Sequence, residues 1–223
     1  MTQTTSAESI VAAVRSLDAK GLNSGTTGNV SVRAGAGMLI TPTGIRAELL
    51  RPDQIVEMSL DGQWSGPMRP SSEWSMHAAI YRAAPQANAV VHAHPDHCVA
   101  ISCLRQGIPA FHYMIASFGG TDVRCAEYAP FGSPELGDAA VATLEGRNAC
   151  LLANHGMICH GPDVETAVAR ALKLETLARQ YVLATSIGKP VLLAPDEMQV
   201  VGCKYTTYGQ QNPQADKLAA AVK

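Results

Sequence analysis

Apolar residues recur along this chain at two spacings, and the switches between them mark out the elements. Over residues 5–20, Ile10, Val11, Val14 and Leu17 fall on one helical face, Thr5 and Glu8 stand at capping-box spacing, and Gly21 stops the run. That segment is predicted to be an amphipathic helix. A Gly- and hydroxyl-rich stretch, 21–28, leads into 29–33, where Val30 and Val32 alternate with polar residues as in a half-buried strand. Residues 38–40 read as its partner strand, across a turn at 34–37.

Helical spacing returns after Pro70-Ser71-Ser72-Glu73, with Trp74, Ala78 and Tyr81 on one face and Pro85 as the stop. Residues 88–94 are Val-rich and alternate, which predicts a strand. Pro95 then suits the first turn of a helix running to about Leu104. Ser133-Pro134-Glu135 opens a helix that ends near Gly146, 150–154 is a short apolar strand, and 163–187 is a long helix burying Ala167, Ala171, Leu174, Ala178 and Tyr181. The remaining 35 or so residues read as irregular. Strands and helices intermix without a repeat or a linker, so the expectation is one domain of layered α/β or α+β type.

Composition narrows the function. Lys+Arg 17 against Asp+Glu 19 gives a formal charge of -2, which lacks the basic excess that a general nucleic-acid binder needs to neutralise phosphates. Hydrophobic residues at 47% and charged residues at 16% argue against disorder. No apolar run approaches the roughly 18 residues that span a bilayer, and the first ten residues lack a basic and an apolar region, so neither a membrane partner nor secretion is expected. The six cysteines show no CxxC spacing and several lie in apolar segments; they read as reduced, mostly buried thiols of a cytoplasmic protein.

The sharpest chemical feature is Val90-Val91-His92-Ala93-His94. Side chains at i and i+2 of a strand share a face, so His92 and His94 project together as one edge of a metal site, or as a pair of edge-strand histidines. His155, between Asn154 and Gly156 at the end of another apolar strand, would complete a three-histidine set; alternatively it caps the strand. Of the other histidines, His160 follows a turn and reads as solvated, His97 faces elsewhere, and His112 adjoins Tyr113. His77 lies one helical turn after Glu73, where it orients that carboxylate or simply packs. Glu73 at a helix start is an acid–base candidate or a plain helix-start carboxylate. Ser71 and Ser72 beside it could bind an anion with the free N–H groups there, or merely cap. The segments 24–29 and 41–44 are further candidate anion loops; neither matches a P-loop or a dinucleotide fingerprint.

The order and spacing of seven blocks resemble the class II aldolase/adducin family: GLNSGTTGNVSVR (21–33), MLITPTGI (38–45), PSSEWSMHAAIY (70–81), PQANAVVHAHPDH (85–97), IPAFHYMIA (108–116), NHGMI (154–158) and KYTTYG (204–209). The resemblance implies a mostly antiparallel central sheet with helices on both faces. It implies one zinc ion per chain on His92, His94 and His155, and Glu73 as general acid/base. It also places the substrate's phosphate on Asn29, Thr43, Gly44, Ser71 and Ser72. Tyr113 would protonate the leaving aldehyde oxygen from a neighbouring subunit of a homotetramer. Tyr208 would sit on a C-terminal tail, after about residue 195, that closes over the site. The implied activity is reversible aldol cleavage of a ketose 1-phosphate, such as L-fuculose 1-phosphate, to dihydroxyacetone phosphate and an aldehyde.

Several relatives within that resemblance do other things. Ribulose 1-phosphate and its 5-deoxy or methylthio analogues are alternative substrates. Pentulose-5-phosphate 4-epimerases usually carry Asp at the position of Glu73, and decarboxylases and dehydratases also belong. Adducin-type scaffold domains lose the three histidines that this chain keeps. An iminium mechanism is disfavoured, because the six lysines fall mostly in helical, turn or tail segments rather than in a dry pocket.

Overall fold

Thr5 caps the first helix, α1 (Ser6–Ala19), as its spacing from Glu8 predicts: its Oγ1 accepts from the Glu8 N–H, and the Glu8 side chain accepts from the Thr5 N–H at 2.7 Å. The structure, a computed structural model, describes residues 5–205. After α1 come β1 (Asn29–Ala34), β2 (Gly37–Ile40), β3 (Val56–Ser59), α2 (Trp74–Ala83), β4 (Ala89–Ala93) and α3 (Asp96–Cys103). Then follow β5 (Cys125–Ala126), α4 (Pro134–Thr143), β6 (Ala149–Leu152), β7 (Gly156–Gly161), α5 (Val164–Ile187) and α6 (Pro195–Tyr205).

Among the described residues seven strands form one sheet, in the order β3-β2-β1-β4-β7-β6-β5. Every neighbouring pair is antiparallel except β5 with β6, so the sheet is mostly antiparallel with helices around it. The central strand β4 is buried along its whole length because both faces are covered. Ala89, Val91 and Ala93 point with Val30 into a core closed by α1, α3 and α5. Val90 points with Met38, Ile40 and Ile158 into the second core, under α2 and α4. Alternation along the strand thus feeds two cores, and it aims His92 at the α2 side.

Four elements depart from the pattern read in the sequence. β7 was not expected, and its residue His160 is not solvated. It is 5% exposed, and its Nε2–H donates to the Arg147 carbonyl at 3.3 Å. The reason is that β7 is covered on both faces and so carries a continuous apolar run rather than an alternation. β3 and the two-residue β5 are short strands without strong periodicity of their own. Residues 195–205, expected to be irregular, form α6, anchored where Met198 enters the first core. The cysteines were expected to be mostly buried, but only Cys98, Cys150 and Cys159 are. Among the described residues no helix is long and apolar enough to cross a membrane.

Candidate metal centre

Antiparallel pairing of β4 with β7 sets His92 beside Ile158 and Ala93 beside Met157. The end of β4, with His94 just beyond it, therefore lies next to the tight β6–β7 turn that carries His155. The three rings meet with centroids 4.6, 4.8 and 4.9 Å apart. Glu73, the N-cap residue of α2, reaches them from the other layer. Its Oε2 lies 3.1 Å from His92 Nε2 and its Oε1 3.2 Å from His155 Nε2. One donor atom from each of these four residues falls within 4.8 Å of the others. The close approach of β7 needs Gly156, where a Cβ would come within 2.6 Å of the Ala93 carbonyl oxygen.

The donors are prepared for a cation. His92 Nδ1 lies 2.8 Å from the Met157 carbonyl, which can only accept, so Nδ1 carries a proton and Nε2 is the ring nitrogen turned to the cluster. His94 Nε2 lies 2.8 Å from that same Nε2. Glu73 Oε1 is buried and faces His155 Nε2 at 3.2 Å without a well-aligned hydrogen bond, a costly condition for a carboxylate oxygen unless a cation completes it. Converging imidazole nitrogens beside an orphaned carboxylate oxygen suit a divalent ion that accepts nitrogen and oxygen donors. Burial pushes His94 down to about 3, with His92 and His155 adding to the effect. Burial alone would raise the Glu73 carboxyl, but its contacts with His92 and His155 outweigh that and hold it well below the usual carboxylate range.

Burial also pushes His77 down to about 3, from an ordinary value of 6.5. The unfolded chain therefore binds a proton below about pH 6.5 that the folded chain refuses, and stability falls as the pH drops through that window towards 3. His77 alone should contribute a slope on the order of 1 kcal/mol per pH unit there. Denaturant midpoints of metal-free protein at pH 7 and pH 5 check this; equal midpoints would refute it.

Glu73, His94 and His155 line a cleft of about 350 Å³, and His92 is buried beside them. Thr43 and Gly44 are brought against Ser71 and Ser72 because the two loops bridge at Pro42 and Pro70, with Ser71 N–H donating to the Thr41 carbonyl at 2.9 Å. Together with Thr26 and Asn29 they form a wall of hydroxyls and amides. Tyr128, Phe131 and Asn154 line the cleft as well. A larger cavity, about 730 Å³, opens beside Arg147, His160 and Arg170, and none of the predicted site residues lines it.

Residues 8–182 match the family described as class II aldolase and adducin N-terminal domain. The chain belongs to this family. It is 48% identical over 200 residues to the 5-methylthioribulose-1-phosphate/5-deoxyribulose-1-phosphate aldolase of Rhodospirillum rubrum, covering 90% of each chain. It is 47% identical over 190 residues to the L-fuculose phosphate aldolase of Escherichia coli K12, covering 85% of this chain and 88% of that one. A solved L-fuculose 1-phosphate aldolase superposes with a TM-score of 0.88 at 37% identity, covering 92% of this chain and 98% of its own. This chain is accordingly a class II aldolase, a lyase acting on carbon–carbon bonds.

Not every residue singled out in the sequence lies in this aldolase's cleft. Tyr113 begins a short 3₁₀ turn, 47% exposed, and does not line the cleft of its own chain. Tyr208 lies outside the described residues. His112 caps that 3₁₀ turn by accepting from the Met114 N–H, and His97 pairs with Glu175 at 2.6 Å. Asn29 occupies the cleft wall yet also donates to Glu73 Oε2 at 2.9 Å, a contact no local pattern announces. Arg105 likewise carries no signal in the local sequence. Its Nε–H donates to Asn154 Oδ1 at 2.9 Å, and the two residues carry the only positive φ angles off glycine among the described residues, 54° and 53°. The unusual backbone at Asn154 sets the turn that presents His155.

Proposed function

We propose that this class II aldolase cleaves a ketose 1-phosphate reversibly to dihydroxyacetone phosphate and an aldehyde, with L-fuculose 1-phosphate as the leading substrate. The observation that carries the reading is the meeting of three imidazoles and one carboxylate beside a cleft walled by hydroxyls and amides. Zinc is the proposed ion, one per chain, on His92, His94 and His155. When bound there it would supply Lewis-acid stabilisation of the negative charge that develops at the substrate carbonyl, worth several kcal/mol. Ser71, Ser72, Thr43, Gly44 and Asn29 hold the phosphate and so set the position of the reacting carbons.

In the cleavage direction the bond between C3 and C4 breaks. Its electrons pass towards the neighbouring carbonyl, and the proton of the C4 hydroxyl leaves as the aldehyde forms. Glu73 delivers a proton to C3, completing dihydroxyacetone phosphate; in the synthetic direction it removes that proton. Tyr113 handles the proton on the aldehyde oxygen from a neighbouring subunit of a homotetramer, a reading supported by its exposure and by its absence from the lining of its own chain's cleft. Tyr208, on the tail, is proposed to close over the site.

A second reading is favoured by the Rhodospirillum rubrum relative: 5-deoxy- or methylthioribulose 1-phosphate as the substrate. Fuculose 1-phosphate and these analogues all release an aldehyde ending in an apolar group, which suits the Tyr128 and Phe131 side of the cleft. Assay of dihydroxyacetone phosphate release from each ketose 1-phosphate tests the proposal. The highest kcat/KM is expected for fuculose 1-phosphate; release from none of them would overturn the reading.

A further inference from the structure

We infer that His77 is a positioning residue for the acid/base group: it fixes the amide of Asn29 with its N–H towards Glu73, and so holds the carboxylate in its working orientation. The inference rests on the role proposed above for Glu73 and adds a residue to it.

A buried series of side-chain hydrogen bonds leads away from the carboxylate. Asn29 Nδ2 lies 2.9 Å from Glu73 Oε2, and Asn29 Oδ1 lies 2.5 Å from His77 Nε2. His77 Nδ1 lies 2.6 Å from Ser31 Oγ, which lies 2.8 Å from Tyr81 Oη. An ionised carboxylate only accepts, so Asn29 must present its N–H to Glu73. Its Oδ1 then faces His77, whose Nε2 must donate. His77 Nδ1 must in turn accept from the Ser31 hydroxyl, and Ser31 accepts from Tyr81. With a neutral ring, a single arrangement of protons satisfies the series. Reversing the tautomer would bring two acceptors face to face at 2.5 Å.

The placement argues against simple packing. His77, Ser31, Tyr81 and Asn29 are 0%, 0%, 2% and 4% exposed, so no water competes for these bonds. An apolar side chain could fill the space beneath α2 without the desolvation cost of an imidazole. Asn29 lies directly across the β1–β4 pairing from His92, so an amide turned the wrong way would also disturb the metal side of the site. The second N–H of the Asn29 amide remains available to the cleft, which it lines.

His77→Phe removes the donor while filling the volume. His77→Gln retains an N–H near the position of Nε2. With metal content equal to that of the wild type, His77→Phe is expected to lower kcat by about 10- to 100-fold and to raise KM by several-fold, because the same amide serves the phosphate, and His77→Gln should recover most of both losses. Should His77→Phe fail to fold, Ser31→Ala serves instead: it deletes the donor to Nδ1 and should lower kcat several-fold. Nitrogen-15 spectra of labelled histidine in the metal-loaded wild type should show His77 as one neutral tautomer protonated at Nε2.

Three results would each overturn the inference: protonation at Nδ1, a His77→Phe kcat within twofold of wild type, or equal losses in the Phe and Gln variants. A wild type that cleaves no ketose 1-phosphate would instead overturn the functional reading, and the tautomer at His77 would still be legible in the spectra.

Discussion

Glu73→Gln should retain its metal and lose about three orders of magnitude in kcat, within the range that a positioned general acid or base contributes. The substitution is nearly isosteric. A glutamine oxygen can still accept from Asn29 Nδ2, which lies 2.9 Å from the wild-type oxygen, so the surrounding network has no reason to collapse. The three imidazoles remain to hold an ion. What disappears is the ability to take and return a proton, a loss of about 4 kcal/mol in transition-state stabilisation. Metal analysis alongside steady-state kinetics reads the two effects separately. Turnover within tenfold of wild type would remove Glu73 from the acid/base role; loss of metal together with turnover would make it an essential ligand instead.

His155→Ala should release the metal and bring activity to background. The ring nitrogen of His155 closes the donor set from the β6–β7 turn, and no other side chain among the described residues belongs to the cluster. Affinity should fall by more than the roughly 10–100-fold that follows loss of a ligand's hydrogen-bond partner alone. His155 is only partly buried, so its truncation leaves both hydrophobic cores filled. Treating the wild type with a chelator should reproduce the loss, and restoring the metal should rescue the wild type but not the variant. Undiminished metal affinity in His155→Ala would exclude this residue from the site.

Each of these residues was visible in the sequence for a different reason. His92 and His94 stand two apart in a Val-rich strand, a relation that the pleat guarantees wherever the strand lies. Glu73 was marked by a helix start and by the serines before it, and His155 by the glycine after it. The cleft brings Thr43, Gly44, Ser71 and Ser72 together through a bridge between two loops that no periodicity records. The joint use of Asn29 by the cleft wall and by Glu73 was likewise illegible, because the two residues are 44 positions apart and meet only when α2 lies over β1. His160 escapes the periodicity for a related reason: a strand covered on both faces loses the alternation that would reveal it.

By itself the chain's order of residues determined the capped helix α1, the central strand β4, the shared face of His92 and His94, and the glycines that permit tight turns. These depend on neighbours a few residues away, whose hydrogen bonds and side-chain spacing act locally. The tertiary structure alone decided that Met157, 65 residues beyond His92, would hold that ring's tautomer, and that a carboxylate from another layer would face it. Such pairings are selected by burial. Packing α2 on one face of β4 and α5 on the other, with β7 alongside, leaves one arrangement that fills both cores and satisfies the polar groups between the sheet and its helices.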